Sequence, residues 1–401
     1  MSNKARRLKV LHVIPSVATC RGGPSKAVLE MVSALREIDI DAEIATTNDD
    51  GISELDVELN TLLDYHGVPV RFFKRYSPKL HALREFAYSK QFKSWLKRHL
   101  QDYDLVHVHA LFSFCSSYAM WLARQHSVPY IVRPIGQLEA WSLNQSKLKK
   151  AIYLSLVEKA NLEGASAVHF TARSEQEQAL TRFKNLKPCI IELGINSPKK
   201  ISDLSRLARE HWQLPEQAPC LVFLSRLHPK KGLELLLNSF NQCSAKGAQL
   251  SIAGDGDSNY VRGLKALSTR LGLDRQCRFI GFIDGHEKNI LLQRADLFCL
   301  TSYSENFGIA VLEAMANGAT PMVSDQVALA NQIKKEALGY VCELNQNDIS
   351  SNLSSALNNL VHTRELGHEA RNYVVQNYQW SAFAESLLVL YQRVLKNQTS
   401  K

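Results

Sequence analysis

Residues 220–242 read CLVFLSRLHPKKGLELLLNSFNQ, an apolar run from Cys220 to Leu224, a basic loop, and an apolar-periodic stretch that opens at Gly232. A short apolar run closed by a polar loop is a buried strand, and the spacing after it is that of a helix. Repeated along a chain, this unit builds a parallel sheet covered by helices on both faces. It recurs here in two sets. The first half offers strands at Leu8 to Ile14, Ala42 to Thr47, Val68 to Phe73, Leu105 to His109, Tyr130 to Arg133, Ala167 to Thr171 and Cys189 to Leu193. The second offers Cys220 to Leu224, Gln249 to Ala253, Arg278 to Phe282, Leu297 to Thr301, Pro321 to Ser324 and Tyr340 to Glu343. Between them, Gly194 to Pro219 reads as a linker plus one helix. The expectation is an α/β protein of two Rossmann-like, doubly wound domains, residues 1–195 and 196–379. A last helix at about 380–401 has no strand after it and is expected to dock back on the first domain.

The 401 residues carry 45% hydrophobic and 22% charged side chains, with 19 Gly and 12 Pro, which excludes fibrous and low-complexity classes. No stretch reaches the ~18 uncharged apolar residues of a membrane helix. The N-terminal apolar run is short, contains His12 and ends at a proline, which reads as a first strand rather than a signal peptide. Eight cysteines stand without CxxC or zinc spacing, so reduced thiols in a cytoplasmic protein are expected. A net charge of +9 suits anionic partners without choosing among them.

In open parallel sheets, ligands sit beyond the carboxyl ends of the strands, so the loops that follow strands hold the candidates. After the first strand, Gly22-Gly23 presents open amides at a helix start. The three-glycine dinucleotide fingerprint is missing, which weakens a nicotinamide oxidoreductase reading. Arg226 and Lys231 lie on one strand-to-helix loop, spaced to converge on a diphosphate. Glu305 precedes a helix that begins near Gly308, and Glu313 lies inside that helix among Val311, Leu312, Ala314 and Met315. A carboxylate on an apolar turn is costly to bury unless something binds it, and sugar hydroxyls are natural partners. The bland alternatives are a helix-start carboxylate and a solvated position. His107 and His109 alternate on one strand and share a face. His107 suits a core position, and His109, at the strand's end, a ligand contact.

These blocks together resemble glycosyltransferase family 4, whose fold is GT-B. Over residues 219–345 the resemblance rests on the Arg226/Lys231 loop, Gly254-Asp255-Gly256, Phe279-Ile280-Gly281-Phe282, the Glu305 to Glu313 pair as E-x7-E, and Gly318 to Val323. The first half is similar through Gly22-Gly23, Asp104 to His109, and Arg133 to Trp141. That last segment resembles the glycine-methionine-leucine-x-proline-tryptophan stretch of bacterial exopolysaccharide transferases, departing at Gln137 and Ala140. The resemblance implies two domains facing across a cleft, the first on the acceptor side and the second binding the donor. It implies a retaining hexosyl transfer from a nucleotide-diphosphate sugar to a saccharide or lipid-linked saccharide, in exopolysaccharide, lipopolysaccharide or capsule assembly. Arg226 and Lys231 would then hold the diphosphate. Glu305, beside Asn306 and the Phe307-Gly308-Ile309 backbone, would meet the donor sugar, and Glu313 the ribose. Gly254 and Phe282 would border the nucleotide, His109 would contact the transferred sugar, and Gly22 and Gly23 would close over the donor.

Two D-x-D strings exist, Asp102-Tyr103-Asp104 and Asp255-Gly256-Asp257; the first precedes a strand rather than following one and the second belongs to the Gly-Asp-Gly turn, so no metal or other cofactor is expected. Arg71 to Arg98 holds nine cations and one acid among seven aromatics. Peripheral contact with an anionic inner membrane face is expected there. A nucleic-acid reading is disfavoured by the acids between Asp39 and Asp64. The rivals are a GT-B phosphorylase or sugar-phosphate synthase, and a nucleotide-sugar-binding scaffold without turnover.

Overall fold

A computed structural model describes residues 6–243 and 247–399. The chain forms two compact units, Met1–Gly194 with Trp380–Lys401, and Ile195–Gln379.

In the first unit, eight strands form one sheet. They are β1 (Lys9–Val13), β2 (Asp41–Thr47), β3 (Leu62–Tyr65), β4 (Val68–Phe73), β5 (Leu105–His109), β6 (Tyr130–Arg133), β7 (Ala167–Phe170) and β8 (Pro188–Ile190). Their order is β8-β7-β6-β5-β1-β2-β4-β3, parallel except for β3. Side chains alternate between faces along a strand. One face sends Leu11, Val13, Val106, Val108 and Val132 into a core with Phe92, Leu96, Met120 and Ala123. The other carries His12, His107, His109 and His169, all fully buried. The helix Trp380–Thr399 packs against Gly23–Glu37 within this unit. Its Tyr391 hydroxyl lies 2.9 Å from His107 Nδ1, and its Phe383 ring 6.2 Å from His169.

The second unit holds an all-parallel sheet of β9 (Cys220–Leu224), β10 (Gln249–Ala253), β11 (Cys277–Gly281), β12 (Leu297–Leu300), β13 (Thr320–Ser324) and β14 (Tyr340–Cys342). The order is β11-β10-β9-β12-β13-β14, so the direction of winding reverses between β9 and β12. The connection between the two sheets contains one helix, Leu204–Trp212.

Three features depart from the strand pattern. β3 is an antiparallel edge strand with exposed and half-buried residues in alternation, too polar for an apolar run to reveal it. A two-rung hairpin, Asp49–Asp50 with Ser53–Glu54, follows β2. β8 ends at Ile190, short of Leu193.

The stretch from Arg71 to Arg98 is corrected in part. Arg75, expected among the surface cations, is fully buried and bound to Asp49, with further bonds to the Gly51 carbonyl at 3.1 Å and the Ser53 carbonyl at 3.0 Å. Arg21 closes the network, 2.7 Å from both Asp49 and Glu85. Phe72, Phe73, Phe92 and Trp95 are core residues. Lys90, Lys93, Lys97 and Arg98 remain exposed on the helix Lys90–His99.

Candidate functional site

The reversal of winding between β9 and β12 opens a crevice at the carboxyl ends of the strands, the usual ligand position in such sheets. Two loops flank it. The one after β9 carries Arg226 to Gly232, and the one after β12 carries Thr301 to Gly308. They are tied together, since Tyr303 N donates to the Lys230 carbonyl at 2.8 Å and Thr301 Oγ1 to the Gly232 carbonyl at 3.0 Å. A Cβ on Gly232 would stand 2.1 Å from the Thr301 carbonyl oxygen, and its φ of +65° is left-handed, so only glycine lets these backbones approach. On the other side, Leu227 N donates to the Asp255 carbonyl at 2.8 Å. A Cβ on Gly254, whose φ is +133°, would fall 1.9 Å from the Ser225 carbonyl oxygen. Gly254 N in turn donates to the Gly281 carbonyl at 2.7 Å, next to Phe282, which is 55% exposed. The sequence blocks at 225–232, 254–256, 281–282 and 301–309 thus converge on one rim.

Lys231 and Glu305, assigned by resemblance to different parts of a donor, form a salt bridge, and Ser302 Oγ lies 3.4 Å from the same carboxylate oxygen. The Glu305 backbone is fixed by bonds to Gln326 and Ala328 at 3.2 Å each. Arg226 is exposed on the same loop. Phe307 turns its ring into the core toward Tyr378, which leaves its backbone at the rim. Gly308, left-handed at φ +75°, starts the helix Ile309–Ala316, and no side chain caps that end. Asn306 precedes it, half-buried. The helix N-terminus therefore presents amides and the positive end of its dipole to the crevice.

Glu313 is 8% exposed, which rules out the solvated position, and its partner is Lys288 Nζ at 2.7 Å. Lys288 belongs to the helix Gly285–Arg294 and went unnoticed in the sequence. Only the apolar setting of Glu313 hinted that some partner had to exist.

In the first unit, the winding reverses between β1 and β5. Gly22, at φ +77°, begins the helix Gly23–Glu37 without a side-chain cap. The loop after β5 is strained, with Ala110 and Phe112 both left-handed at φ +68° and +58°. It is held by Gln137, whose side chain accepts from Leu111 N, and by Glu158, which accepts from Phe112 N at 3.0 Å. Gln137, a departure from the resembled pattern, thus has a structural task. His109 is fully buried, its ring centroid 4.5 Å from that of His107 and its Nε2 3.0 Å from His12 Nδ1. Burial first, then the charges of its neighbours, hold His109 and His107 well below the ordinary histidine range, and His12 and His169 at about 3. His169 Nε2 lies 2.8 Å from the Ile191 carbonyl and so donates to it. Its Nδ1 then accepts from His107, whose own Nδ1 accepts from Tyr391.

Nitrogens of His12, His107 and His109 lie within 4.8 Å of one another, a spacing that a metal ion can bridge. Burial first, and then the Arg133 guanidinium and the neighbouring rings, lower the affinity of these same rings for protons. In the D-x-D strings, Asp102 pairs with His99, Asp104 accepts from Lys9 N, Asp255 accepts from Gly256 N, and Asp257 caps the helix Ser258–Arg270. Among the described residues, no helix is long and apolar enough to cross a membrane.

Two α/β units with a basic, helix-capped crevice define a glycosyltransferase of the GT-B fold. The first unit matches the glycosyl transferase 4-like domain over residues 22–188, and the second matches glycosyl transferases group 1 over residues 205–377. The chain belongs to the family 4 type of glycosyltransferases and is an enzyme of that class. It is 25% identical over 406 residues to the GDP-mannose:cellobiosyl-diphosphopolyprenol alpha-mannosyltransferase of Komagataeibacter xylinus, covering 98% of this chain and 96% of that one. It is 30% identical over 189 residues to the phosphatidyl-myo-inositol mannosyltransferase of Mycobacterium tuberculosis, a match that spans 45% of this chain and about half of the relative, 48%. Sucrose-phosphate synthase of Thermosynechococcus elongatus shares the fold at a TM-score of 0.78 and 19% identity, over 98% of this chain and 100% of that one.

Proposed function

We propose that the protein is a retaining hexosyltransferase that moves a sugar from a nucleotide-diphosphate donor to a saccharide or lipid-linked saccharide acceptor. The product would be an exopolysaccharide, lipopolysaccharide or capsule precursor. The observation that carries the donor assignment is the pairing of Lys231 with Glu305 at the mouth of an uncapped helix, at the point where the second sheet reverses. In this reading, Arg226 as a fork and Lys231 as a point charge hold the diphosphate. Glu305 accepts from hydroxyls of the sugar, and Glu313, aligned by Lys288, meets the ribose. Gly254 and Phe282 border the nucleotide. The first domain, which carries Gly22 and Gly23, takes the acceptor, and His109, expected as a ligand contact, is instead a fully buried residue bonded to His12.

In the reaction, the bond from the anomeric carbon to the phosphate oxygen breaks, and the acceptor hydroxyl bonds to the same face of that carbon. The hydroxyl proton passes to the departing phosphate oxygen. Negative charge grows on the diphosphate, which in this reading the two cations and the helix amides hold, so the barrier falls without a protein nucleophile. Both mannosyltransferase relatives act on acceptors that carry lipid, as their names state, which supports a lipid-linked acceptor here. The exposed cations of Lys90–His99 would then rest on an anionic leaflet on the cytoplasmic side.

Losing a charge-assisted contact costs about 1.5–3 kcal/mol, so Lys231→Ala and Arg226→Ala are each expected to lower kcat/KM at least ~10-fold. Glu305→Gln is expected to lower kcat more than it raises KM, because its partner is the reacting sugar. Near-normal values in all three variants would remove the donor assignment. Transfer is also expected to survive EDTA, measured as nucleotide release in the presence of acceptor. Loss of transfer that added magnesium restores would show a metal-dependent site instead.

A further inference from the structure

The helix Lys147–Tyr153 runs on through a single π-turn, Leu154–Glu158, into Lys159–Gly164. Its inward face joins the core leucines Leu154 and Leu162 with polar anchors. The Tyr153 hydroxyl donates to Ser117 Oγ at 2.8 Å, and fully buried Glu158 accepts from Ser117 Oγ at 2.7 Å and from Asn161 Nδ2 at 3.3 Å. The outward face carries Leu148, Ile152 and Leu156, which are 75%, 51% and 76% exposed. At four-residue spacing they form one stripe. Lys147, Lys149 and Lys159 flank it, all exposed, and the only acid from residue 147 to 159 is the buried Glu158. The segment thus buries one apolar face and leaves a second apolar stripe uncovered, which a solvated surface helix does not do.

The stripe belongs to a wider flank of the first unit. Tyr153 meets Phe86 edge-on at 6.0 Å, Phe86 meets Phe114 at 6.1 Å, and Phe114 stacks on Tyr118 at 5.4 Å. Lys93, on the basic helix Lys90–His99, sits over that Tyr118 ring at 5.9 Å. Trp121, 44% exposed, stacks on Tyr118 at 5.6 Å. One aromatic ladder thus joins the exposed cations of Lys90–His99 to the leucine stripe.

We infer that this flank docks on an anionic lipid leaflet, with Leu148, Ile152 and Leu156 immersed at the headgroup boundary and the lysines on the phosphates. Charge complementarity chooses the occupant. An apolar stripe fringed by cations, with an aromatic at its edge, matches an anionic interface, whereas a second copy would bring the same lysines against each other. The inference deepens the lipid-linked acceptor reading, on which it rests, by naming the surface that carries the enzyme to its acceptor.

The test is co-sedimentation of the full chain with vesicles of phosphatidylcholine containing one part in three phosphatidylglycerol. Leu148→Ser/Ile152→Ser/Leu156→Ser is expected to weaken binding at least about tenfold at ~0.15 M salt, because apolar burial outlasts screening. Lys147→Glu/Lys149→Glu should weaken it mainly at low salt. Both variants should keep the melting temperature and the response to nucleotide of the parent chain, since the donor site lies in the other unit. Binding that is unchanged by the triple substitution overturns the inference, as does failure of the parent chain to bind. A parent chain that is dimeric by light scattering and becomes monomeric in the triple variant would assign the stripe to a second copy. Loss of the nucleotide response in the parent chain would instead tell against the donor reading, whatever the vesicles show.

Discussion

Lowering the pH from 7 to 5 is expected to unfold the first unit well before ordinary acid denaturation. Four histidines on one face of its sheet are buried and neutral, and burial is the main reason. In the unfolded chain they titrate near 6.5. In the folded chain His12 and His169 do so at about 3, and His107 and His109 far below 6.5. Between those values the unfolded state binds protons that the folded state refuses, so stability is full above pH 6.5 and is lost as the pH falls. Each such group costs about 1.4 kcal/mol per pH unit. Buried Glu175, raised to about 7 by desolvation, and Glu158, raised for the same reason, act in the opposite sense, since their folded forms take up protons first. The four histidines outnumber the two carboxylates, so the net effect is a loss of stability as the pH falls below 6.5. Circular dichroism melts from pH 7.5 to 4.5 check this, and Glu175→Gln should steepen the dependence by removing the opposing titration. A flat Tm down to pH 5 would mean that the histidine cluster takes up protons without opening.

Arg75→Ala is expected to destabilise the first unit far more than the loss of any exposed cation on the same stretch. Its guanidinium is fully buried and bonded to Asp49 and to the carbonyls of Gly51 and Ser53. Asp49 is itself only 3% exposed. Removing one partner of a buried pair leaves the other charge out of water, a loss of about 3–5 kcal/mol. For a unit of this size, Tm should fall by roughly 10 °C. Arg21 still contacts Asp49, so the lower end of that range applies if Arg21 can shift onto it. Lys74→Ala, one residue away and exposed, should stay within about 0.5 kcal/mol. Equal melting of both variants would show that the network is dispensable.

The contrast between Arg75 and Lys74 shows what a sequence can carry. Strand and helix periodicity is local, so the two sheets and the strand-following loops could be read from spacing alone. The blocks at Arg226, Gly254 and Glu305 were visible for the same reason, because each is a contiguous turn whose chemistry lies within a few residues. The Lys231–Glu305 bridge was not visible, since it joins positions 74 residues apart, and neither was the Lys288–Glu313 bridge, 25 residues apart. The same limit hid which cations of Arg71 to Arg98 face water. Arg75 follows β4 and turns inward to an acid from the hairpin after β2, a contact that only the tertiary fold creates. The stripe at Leu148 escaped for a different reason, because an apolar periodicity does not tell which face of a helix is covered. Only the half-buried Tyr153 and the buried Glu158, both bonded to Ser117, show that Leu148, Ile152 and Leu156 point outward.

Binding of a nucleotide-diphosphate sugar to the second unit through Arg226 and Lys231 is the step on which the proposed transfer depends. It is tested most directly by a thermal-shift screen of the protein and of Arg226→Ala/Lys231→Ala against UDP, GDP, ADP and their common sugar conjugates. A ligand that binds only the folded state adds about 2.7 kcal/mol of stability at a hundredfold excess over Kd. The expected result is a clear rise in Tm with one nucleotide family, largest for one conjugate, unchanged by EDTA and abolished in the double variant. No rise with any nucleotide, or the same rise in the double variant, would contradict a donor site at these two cations.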